Sequence, residues 1–176
     1  MRNIEIKARL EDPRAAEAAA ASLAGHQPQV LHQVDTYFNL AQGRLKLREH
    51  GEAGPAELIF YRRGDAATPR PCDYEIVPVA DPGPLKALLA RALGVKTVVA
   101  KERRVFLYRN VRIHLDRVEG LGSFIEFEAA MDPGSADAEG EGMVTGLMER
   151  FSISPHDVIA GSYCDLVNGE AGIPPE

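Results

Sequence analysis

The sequence predicts an α+β fold in which eight antiparallel strands close into a β-barrel with flanking helices. Eight segments read as strands, because apolar and charged side chains alternate in them with a period of two. Helix-like segments are inserted between blocks of strands, which is typical of α+β proteins. Eight antiparallel strands are also enough to close a sheet into a barrel that encloses a ligand.

The first half of the chain reads as a strand, a helix and four further strands. The first strand is NIEIKARL at 3–10, where apolar residues alternate strictly with charged ones. Asp12 is the expected N-cap of the helix, which has Pro13 at its first position and ends near Gly25. The next strands are expected at 29–39, 43–49, 56–63 and 72–79.

The second half begins with a helix and returns to strands. Asp81 precedes this helix and Gly94 ends it, as expected for helix boundaries. Asp132-Pro133-Gly134 then interrupts the chain after the last strand. We predict helices at 82–93, about 137–151 and around 156–168, and strands at 96–108, 111–118 and 122–129.

The composition and charge of the chain argue against several classes of protein. The formal net charge of −6 gives no indication of a basic surface for nucleic acid. Cys72 and Cys164 lie far apart without metal-site spacing, so we expect free thiols. No apolar signal core is present, and the alanine-rich stretch 15–24 is too short to span a bilayer. We therefore expect a cytoplasmic protein without membrane contact, with one domain over 1–170 and a flexible tail at 171–176.

Charge on the predicted strands is segregated by strand. Arg44, Lys46 and Arg48 share one strand face, and Glu126 and Glu128 share a face of the last strand. An antiparallel sheet with one solvated face would explain the alternation of any single strand. However, like charges stacked on one strand repel each other. Their arrangement makes better sense if the barrel interior is charged and a polyanion with divalent cations lies between the strands.

A charged interior of this kind suits phosphate chemistry. Arginine binds phosphate oxygens through its planar fork, and lysine binds them as a point charge. Carboxylates provide the oxygen ligands that Mg²⁺ and Mn²⁺ prefer. The acidic candidates on the charged strand faces are Glu5, Asp116, Glu126 and Glu128.

Segments along nearly the whole chain resemble the CYTH family of class IV adenylate cyclases and thiamine triphosphatases, also called triphosphate tunnel metalloenzymes. The resemblance runs from residue 3 to about residue 167, and its most specific part is LDRVEGLGSFIEFE. The segments that carry it are NIEIKAR (3–9), QVDTYF (33–38), GRLKLRE (43–49), ELIFYRR (57–63), VVAKERR (98–104), IHLDRVEGLGSFIEFE (113–128) and GSYCDLV (161–167).

The resemblance implies a tunnel that binds a triphosphate and Mg²⁺ or Mn²⁺. The candidate substrates are ATP, thiamine triphosphate and tripolyphosphate, and the protein is expected to be a monomer or a homodimer. Tyr163 matches a family tyrosine near the tunnel mouth. The implied metal ligands are Glu5, Asp116, Glu126 and Glu128; the implied phosphate-binding residues are Lys7, Lys46, Arg48, Arg63, Lys101 and Arg103; and Lys7, Glu5 and Asp116 are the candidate catalytic residues.

Asn3 departs from the family pattern. It stands where the first motif of the family has a metal-ligating glutamate, so we expect one metal site to be weakened or altered. A β-bulge near Gly64 would place Arg62 in the lumen instead of Arg63. Arg44, Arg112 and His114 are further candidates by strand phase alone.

The sequences of these motifs resemble those of the bacterial cyclase-like members more than those of the animal triphosphatases. The first expectation is therefore that the protein converts ATP to cyclic AMP and pyrophosphate. The alternatives are a triphosphatase that releases phosphate and, because of Asn3, a non-catalytic binder of nucleotide or polyphosphate. We interpret 35–38, DTYF, as a strand end with core aromatics in preference to a direct substrate role.

Overall fold

The computed structural model of the chain describes residues 1–51 and 54–169, so the tail predicted at 171–176 lies outside the described residues. The strands are β1 (Arg2–Arg9), β2 (Gln29–Phe38), β3 (Arg44–Glu49), β4 (Ala56–Arg63), β5 (Arg70–Val79), β6 (Val95–Tyr108), β7 (Val111–Val118) and β8 (Gly122–Ala130). The helices are α1 (Pro13–Ala24), α2 (Pro82–Leu93), α3 (Asp137–Arg150) and α4 (Tyr163–Val167), with a short 3-10 helix at Pro155–Asp157.

The eight strands form a closed antiparallel barrel, which confirms the predicted fold. Their order around the barrel is β1-β5-β4-β3-β2-β6-β7-β8, and β1 closes the ring by pairing with both β5 and β8. This register places opposite charges on neighbouring strands. Lys7 lies across from Glu126, and Asp35 lies across from Arg48.

The helix boundaries follow from local capping. The carboxylate of Asp12 accepts hydrogen bonds from the first two free backbone N–H groups of α1, and Pro13 needs no such partner. Gly25 ends α1 with a φ of 73°, a left-handed conformation that glycine adopts without strain. The single helix predicted around 156–168 is wrong. Ser154 and Ser162 each begin a separate short helix with its own capping box, so the chain turns between them.

The apolar faces of the strands point outward and are covered by helices. Ile4, Ile6 and Phe127 are buried on the outside of the barrel, where Val144 and Leu147 of α3 pack against the same cluster. Fully burying side chains of this size stabilises the fold by roughly 1.5–3 kcal/mol each. The charged faces of the same strands are consequently turned toward the barrel interior, as the alternation predicts.

One end of the barrel is filled by aromatic and apolar side chains. Phe124 and Val118 point inward, because they share strand faces with Glu126 and Asp116. Tyr163 of α4 packs on Phe124, with ring centroids 5.0 Å apart. The interior therefore has a closed floor made by α4. No helix in residues 1–51 and 54–169 is both long and apolar enough to cross a membrane.

Candidate functional site

A cavity of about 410 Å³ occupies the barrel interior. Its walls are the inward faces of the strands, and Tyr163 lies at its floor. The structure brings together all six predicted phosphate-binding residues and three of the four predicted metal ligands. The predicted residues that line the cavity are Lys7, Lys46, Arg48, Arg63, Lys101, Arg103, Glu5, Glu126 and Glu128, together with Asn3, Arg112 and His114.

Three of the basic residues converge on the carboxylate of Asp35. Lys101 and Lys46 donate to its Oδ2 at 2.7 and 3.1 Å. Arg48 donates through Nε and Nη2 to the two oxygens, at 2.7 and 2.9 Å. Asp35 is fully buried, and it is a residue of the cavity that our interpretation of 35–38 missed. Its strand phase was the available signal, since it shares a face with Gln33 and Tyr37.

A second network joins Lys7, Arg103 and two carboxylates. Glu126 accepts from Lys7 Nζ at 2.5 Å and from Arg103 Nη2 at 2.8 Å. Arg103 also holds Asp116 through two bonds of 2.7 and 2.6 Å, and the hydroxyl of Tyr163 donates to Asp116 at 2.7 Å. Asp116 is thus buried behind Arg103, which links it to Glu126, and it does not line the cavity. Its role as a metal ligand stays a prediction.

Arg63, and not Arg62, faces the interior. The pairing of β4 is regular with β3 up to Tyr61 and with β5 up to Arg63, so no bulge reverses the phase. Nη1 of Arg63 donates to Glu5, and its side chain is only 3% exposed. Nε and Nη2 of Arg63 are buried and make no hydrogen bond within the described part of the chain. Arg62 is exposed and lies over the ring of Phe60.

Arg44 lies away from the main cavity, although it shares the phase of Lys46. It donates to Asp65 at 2.8 Å and to Asp165 at 2.9 Å. These residues line a smaller cavity of about 320 Å³ on the side of α4. Arg44 is therefore an ion-pair partner of α4 and not a residue of the main cavity.

His114, Glu126 and Glu128 form a group suited to a divalent cation. One donor atom from each lies within 4.8 Å of the others. Two carboxylates and one imidazole fit Mn²⁺ well and Mg²⁺ less well, because imidazole is a softer ligand than oxygen. The residues present thus fit the metal that the family pattern implies. Glu5 lies outside this group, and its carboxylate accepts a hydrogen bond from Arg63.

Asn3 lies beside this group and contacts Arg112. With the amide oxygen of Asn3 turned toward β7, Arg112 Nη2 donates to it at 2.9 Å. Arg112 also donates to Glu128 from Nε at 3.1 Å and from Nη2 at 2.8 Å. A guanidinium group therefore occupies one side of Glu128 next to the position where the family motif has an acidic residue.

Burial and neighbouring charge shift the pKa values of these groups in opposite directions. Burial raises the pKa of Glu126, but Lys7 and Arg103 outweigh it and hold the pKa well below its usual range. The pKa of Asp35 is likewise held low by Arg48, Lys101 and Lys46 against the effect of burial. Burial lowers the pKa of Lys101 to about 7 and that of Lys46 to about 8, although Asp35 raises both. The carboxylates are thus ionised at neutral pH, whereas two lysines are close to titration.

Solved structures share this barrel. A Pyrococcus horikoshii protein, PH1012, superposes with a TM-score of 0.81 at 24% identity, over 93% of this chain and 98% of that one. A candidate adenylate cyclase from Vibrio parahaemolyticus gives a TM-score of 0.76 at 23% identity, over 94% and 97%. The Schizosaccharomyces pombe RNA triphosphatase Pct1 gives 0.52 at 11% identity, over 92% and 87%. At these identities the likeness shows a common fold.

The sequence itself identifies the family. No curated protein matches the chain. The profile of the CYTH domain, in contrast, matches residues 1–163, and so it covers all eight strands and all the residues that line the cavity. With the closed barrel and its charged interior already described, this match shows that the chain belongs to the CYTH domain family.

Proposed function

We propose that the chain is a divalent-metal-dependent enzyme that binds the triphosphate group of a small molecule inside the barrel. One observation carries the proposal: six lysine and arginine side chains from different strands surround a cavity that also holds the His114, Glu126 and Glu128 group. A buried cluster of like charges is unfavourable unless it meets opposite charge. A triphosphate is a polyanion that would contact several of these cations at once.

The basic residues would divide the binding of the triphosphate between them. Lys46, Arg48 and Lys101 form one wall of the cavity, where their surplus positive charge faces the lumen. Arg63 supplies buried N–H groups that make no hydrogen bond in the described chain. Charge-assisted bonds from arginine and lysine to phosphate are short and strong, and those from arginine also fix orientation.

The acidic side of the cavity would hold the metal. Glu126 and Glu128, with His114, are the candidate ligands, and Glu5 and Asp116 are the further candidates from the family pattern. A bound Mg²⁺ or Mn²⁺ ion neutralises phosphate oxygens and polarises the phosphorus under attack. Lys7 lies between the two sides, with its ammonium on Glu126 and over the ring of Tyr163. It would orient the triphosphate and stabilise charge that develops on the leaving group.

We infer adenylate cyclase chemistry as the first candidate reaction. The 3′-hydroxyl oxygen of ATP would attack the α-phosphorus and its proton would pass to water, while the bond from that phosphorus to the bridging oxygen would break and pyrophosphate would leave. The fold shared with the candidate adenylate cyclase of Vibrio parahaemolyticus supports this reaction. The fold shared with the RNA triphosphatase Pct1 supports a second candidate reaction. Water would attack the terminal phosphorus, its bond to the bridging oxygen would break, the diphosphate part of the substrate would leave, and the terminal group would be released as phosphate.

Product analysis tests the proposal. ATP, thiamine triphosphate and tripolyphosphate would be incubated separately with the protein and Mn²⁺ or Mg²⁺, followed by assays for cyclic AMP, pyrophosphate and phosphate. We expect cyclic AMP and pyrophosphate in equal amounts from ATP, and loss of turnover in Lys101→Ala but not in Arg62→Ala, which changes an exposed arginine.

Two other results would each favour a different function. Phosphate without cyclic AMP would overturn the cyclase reaction and favour the triphosphatase. Binding without turnover of any of the three compounds would show a non-catalytic binder, the outcome that Asn3 makes a specific alternative.

A further inference from the structure

Asp35 is a buried carboxylate with an unusual set of partners. Its side chain is 1% exposed, and both oxygens accept hydrogen bonds from cationic groups. The three cations come from two strands that flank β2: Lys46 and Arg48 from β3, and Lys101 from β6. Asp35 on β2 therefore connects the basic side chains of β3 with the basic side chain of β6, which together form one wall of the cavity.

The contacts of Asp35 differ from those of the acidic group on the other side. Glu126 and Glu128 have His114 beside them and present a possible ligand set, whereas Asp35 is surrounded by cations. One negative charge cannot neutralise three positive ones. The cluster therefore keeps a surplus of positive charge, while each cation has a fixed hydrogen-bond acceptor that determines its direction.

We propose that Asp35 is a positioning residue whose carboxylate keeps Lys46, Arg48 and Lys101 together in the charged arrangement that receives the triphosphate. The inference rests on the proposed function, because the triphosphate is the ligand of that arrangement. Asp35 itself would not contact the reacting atoms.

The physical reason is the energy of like charges in a buried space. Without Asp35, the ammonium groups of Lys46 and Lys101 would face Arg48 with no anion between them, and each lysine would lose its proton more readily. The pKa values of about 7 for Lys101 and about 8 for Lys46 are already lowered by burial, and Asp35 raises both. Its removal would thus lower both pKa values further and leave both lysines largely neutral at pH 7, where the wild type keeps most of the charge on Lys46 and about half of that on Lys101.

Other charged groups around the cluster would not replace Asp35. On β6, Arg103 adds a further positive charge that lowers the pKa of both lysines. On β7, Asp116 is engaged by Arg103 through two bonds. On β4, Glu57 lies across from Arg48 but pairs with His50 at 3.2 Å. The phenols of Tyr37, Tyr61 and Tyr163 also face the cluster, and because burial raises their pKa values they are neutral at pH 7.

The test compares Asp35→Asn with the wild type by calorimetric binding of tripolyphosphate between pH 5.5 and 8.5, without added metal. We expect the affinity of Asp35→Asn to be about 10- to 100-fold weaker at pH 7, because charge-assisted bonds from the lysines are lost. The affinity should recover below about pH 6, where the lysines regain their protons. The ¹³Cε resonances of Lys46 and Lys101 should titrate at lower pH in the variant.

Two further variants control the test. Asp35→Glu keeps the charge and should keep the wild-type pH profile. Asp73→Asn removes a carboxylate that pairs with Arg2 outside the main cavity, and it should leave tripolyphosphate binding unchanged. If Asp35→Asn does not fold, the double variant Asp35→Asn/Lys101→Met removes one charge of each sign, and Lys46 then reports the same shift.

Several results would overturn the role of Asp35. An unchanged pH profile in Asp35→Asn, or an affinity that rises equally at every pH, would show that the carboxylate merely competes with phosphate. A failure of the wild type itself to bind polyphosphate at any pH would instead overturn the proposed function. The two failures are therefore distinguishable.

Discussion

Replacing Glu126 by glutamine should change triphosphate binding in opposite directions with and without metal. In the structure, the carboxylate of Glu126 accepts from Lys7 at 2.5 Å and from Arg103 at 2.8 Å, and all three side chains are at most 7% exposed. Glu126 thus competes with phosphate for two of the cations that would bind it. It is also one of the three candidate metal ligands.

The magnitude follows from the bonds that phosphate must displace. A hydrogen bond to a charged group contributes about 1.5–3 kcal/mol net. If tripolyphosphate displaces one such bond at Glu126, its affinity for Glu126→Gln without metal should rise about 10- to 100-fold. The increase in affinity that Mn²⁺ produces in the wild type should be largely lost, because glutamine brings no charge to the metal.

Calorimetric titration with tripolyphosphate, first with chelator and then with Mn²⁺, measures both effects. Glu57→Gln is the matched control, since Glu57 lines the same cavity but pairs with His50 at 3.2 Å instead of with Lys7 or Arg103. Weaker metal-free binding by Glu126→Gln than by the wild type would refute the idea that this carboxylate occupies phosphate-binding cations. Thermal unfolding should also show destabilisation of about 3–5 kcal/mol, because two buried cations lose a charged partner.

The remaining predictions concern the two arginines of β4, the loss of folding stability at low pH, and the hydrogen bond from Tyr163 to Asp116. Arg63→Ala should weaken tripolyphosphate binding at least about 10-fold by calorimetry, whereas Arg62→Ala should not change it. The pKa of Asp116 is lowered to about 2, so its contribution to stability is present above about pH 4 and is lost as the pH falls toward 2. Chemical denaturation between these pH values should show the decline in the free energy of unfolding. A free energy of unfolding that did not change with pH would contradict the prediction. Tyr163→Phe removes the 2.7 Å bond to Asp116 and should lower the free energy of unfolding by about 1.5–3 kcal/mol, a loss that Asp116→Asn should largely share in a double-mutant cycle.

The inward and outward faces of the strands were predictable because they depend only on a period of two. Ile4 and Ile6 lie under helices, and Glu5 and Lys7 line the cavity, as the alternation in 3–10 indicated. Eight alternating segments also predicted the closed barrel. Strand boundaries agreed to within two residues, since capping residues and turn residues mark them locally.

Contacts that depend on strand pairing were not predictable in the same way. The partners of Asp35 lie 11, 13 and 66 residues away along the chain, and only the register of β2 with β3 and β6 brings them together. The strand phase of Asp35 indicated that it faces the same side as Gln33 and Tyr37, but not which side chains it contacts there.

The surroundings of Asp116 were likewise not predictable from the sequence. The family pattern groups it with the acidic residues, whereas the register of β6 with β7 places it directly opposite Arg103. The choice between Arg62 and Arg63 also depended on strand pairing, because only the regular pairing of β4 established which of them faces inward.

The most direct test is a crystal structure of the protein with tripolyphosphate and Mn²⁺, in which anomalous scattering locates the metal. We predict Mn²⁺ between His114, Glu126 and Glu128, and phosphate oxygens within hydrogen-bond distance of Lys101 and Arg63. Crystals grown in saturating ligand that showed an empty lumen, or the metal and polyphosphate bound only on the outer surface, would contradict the account.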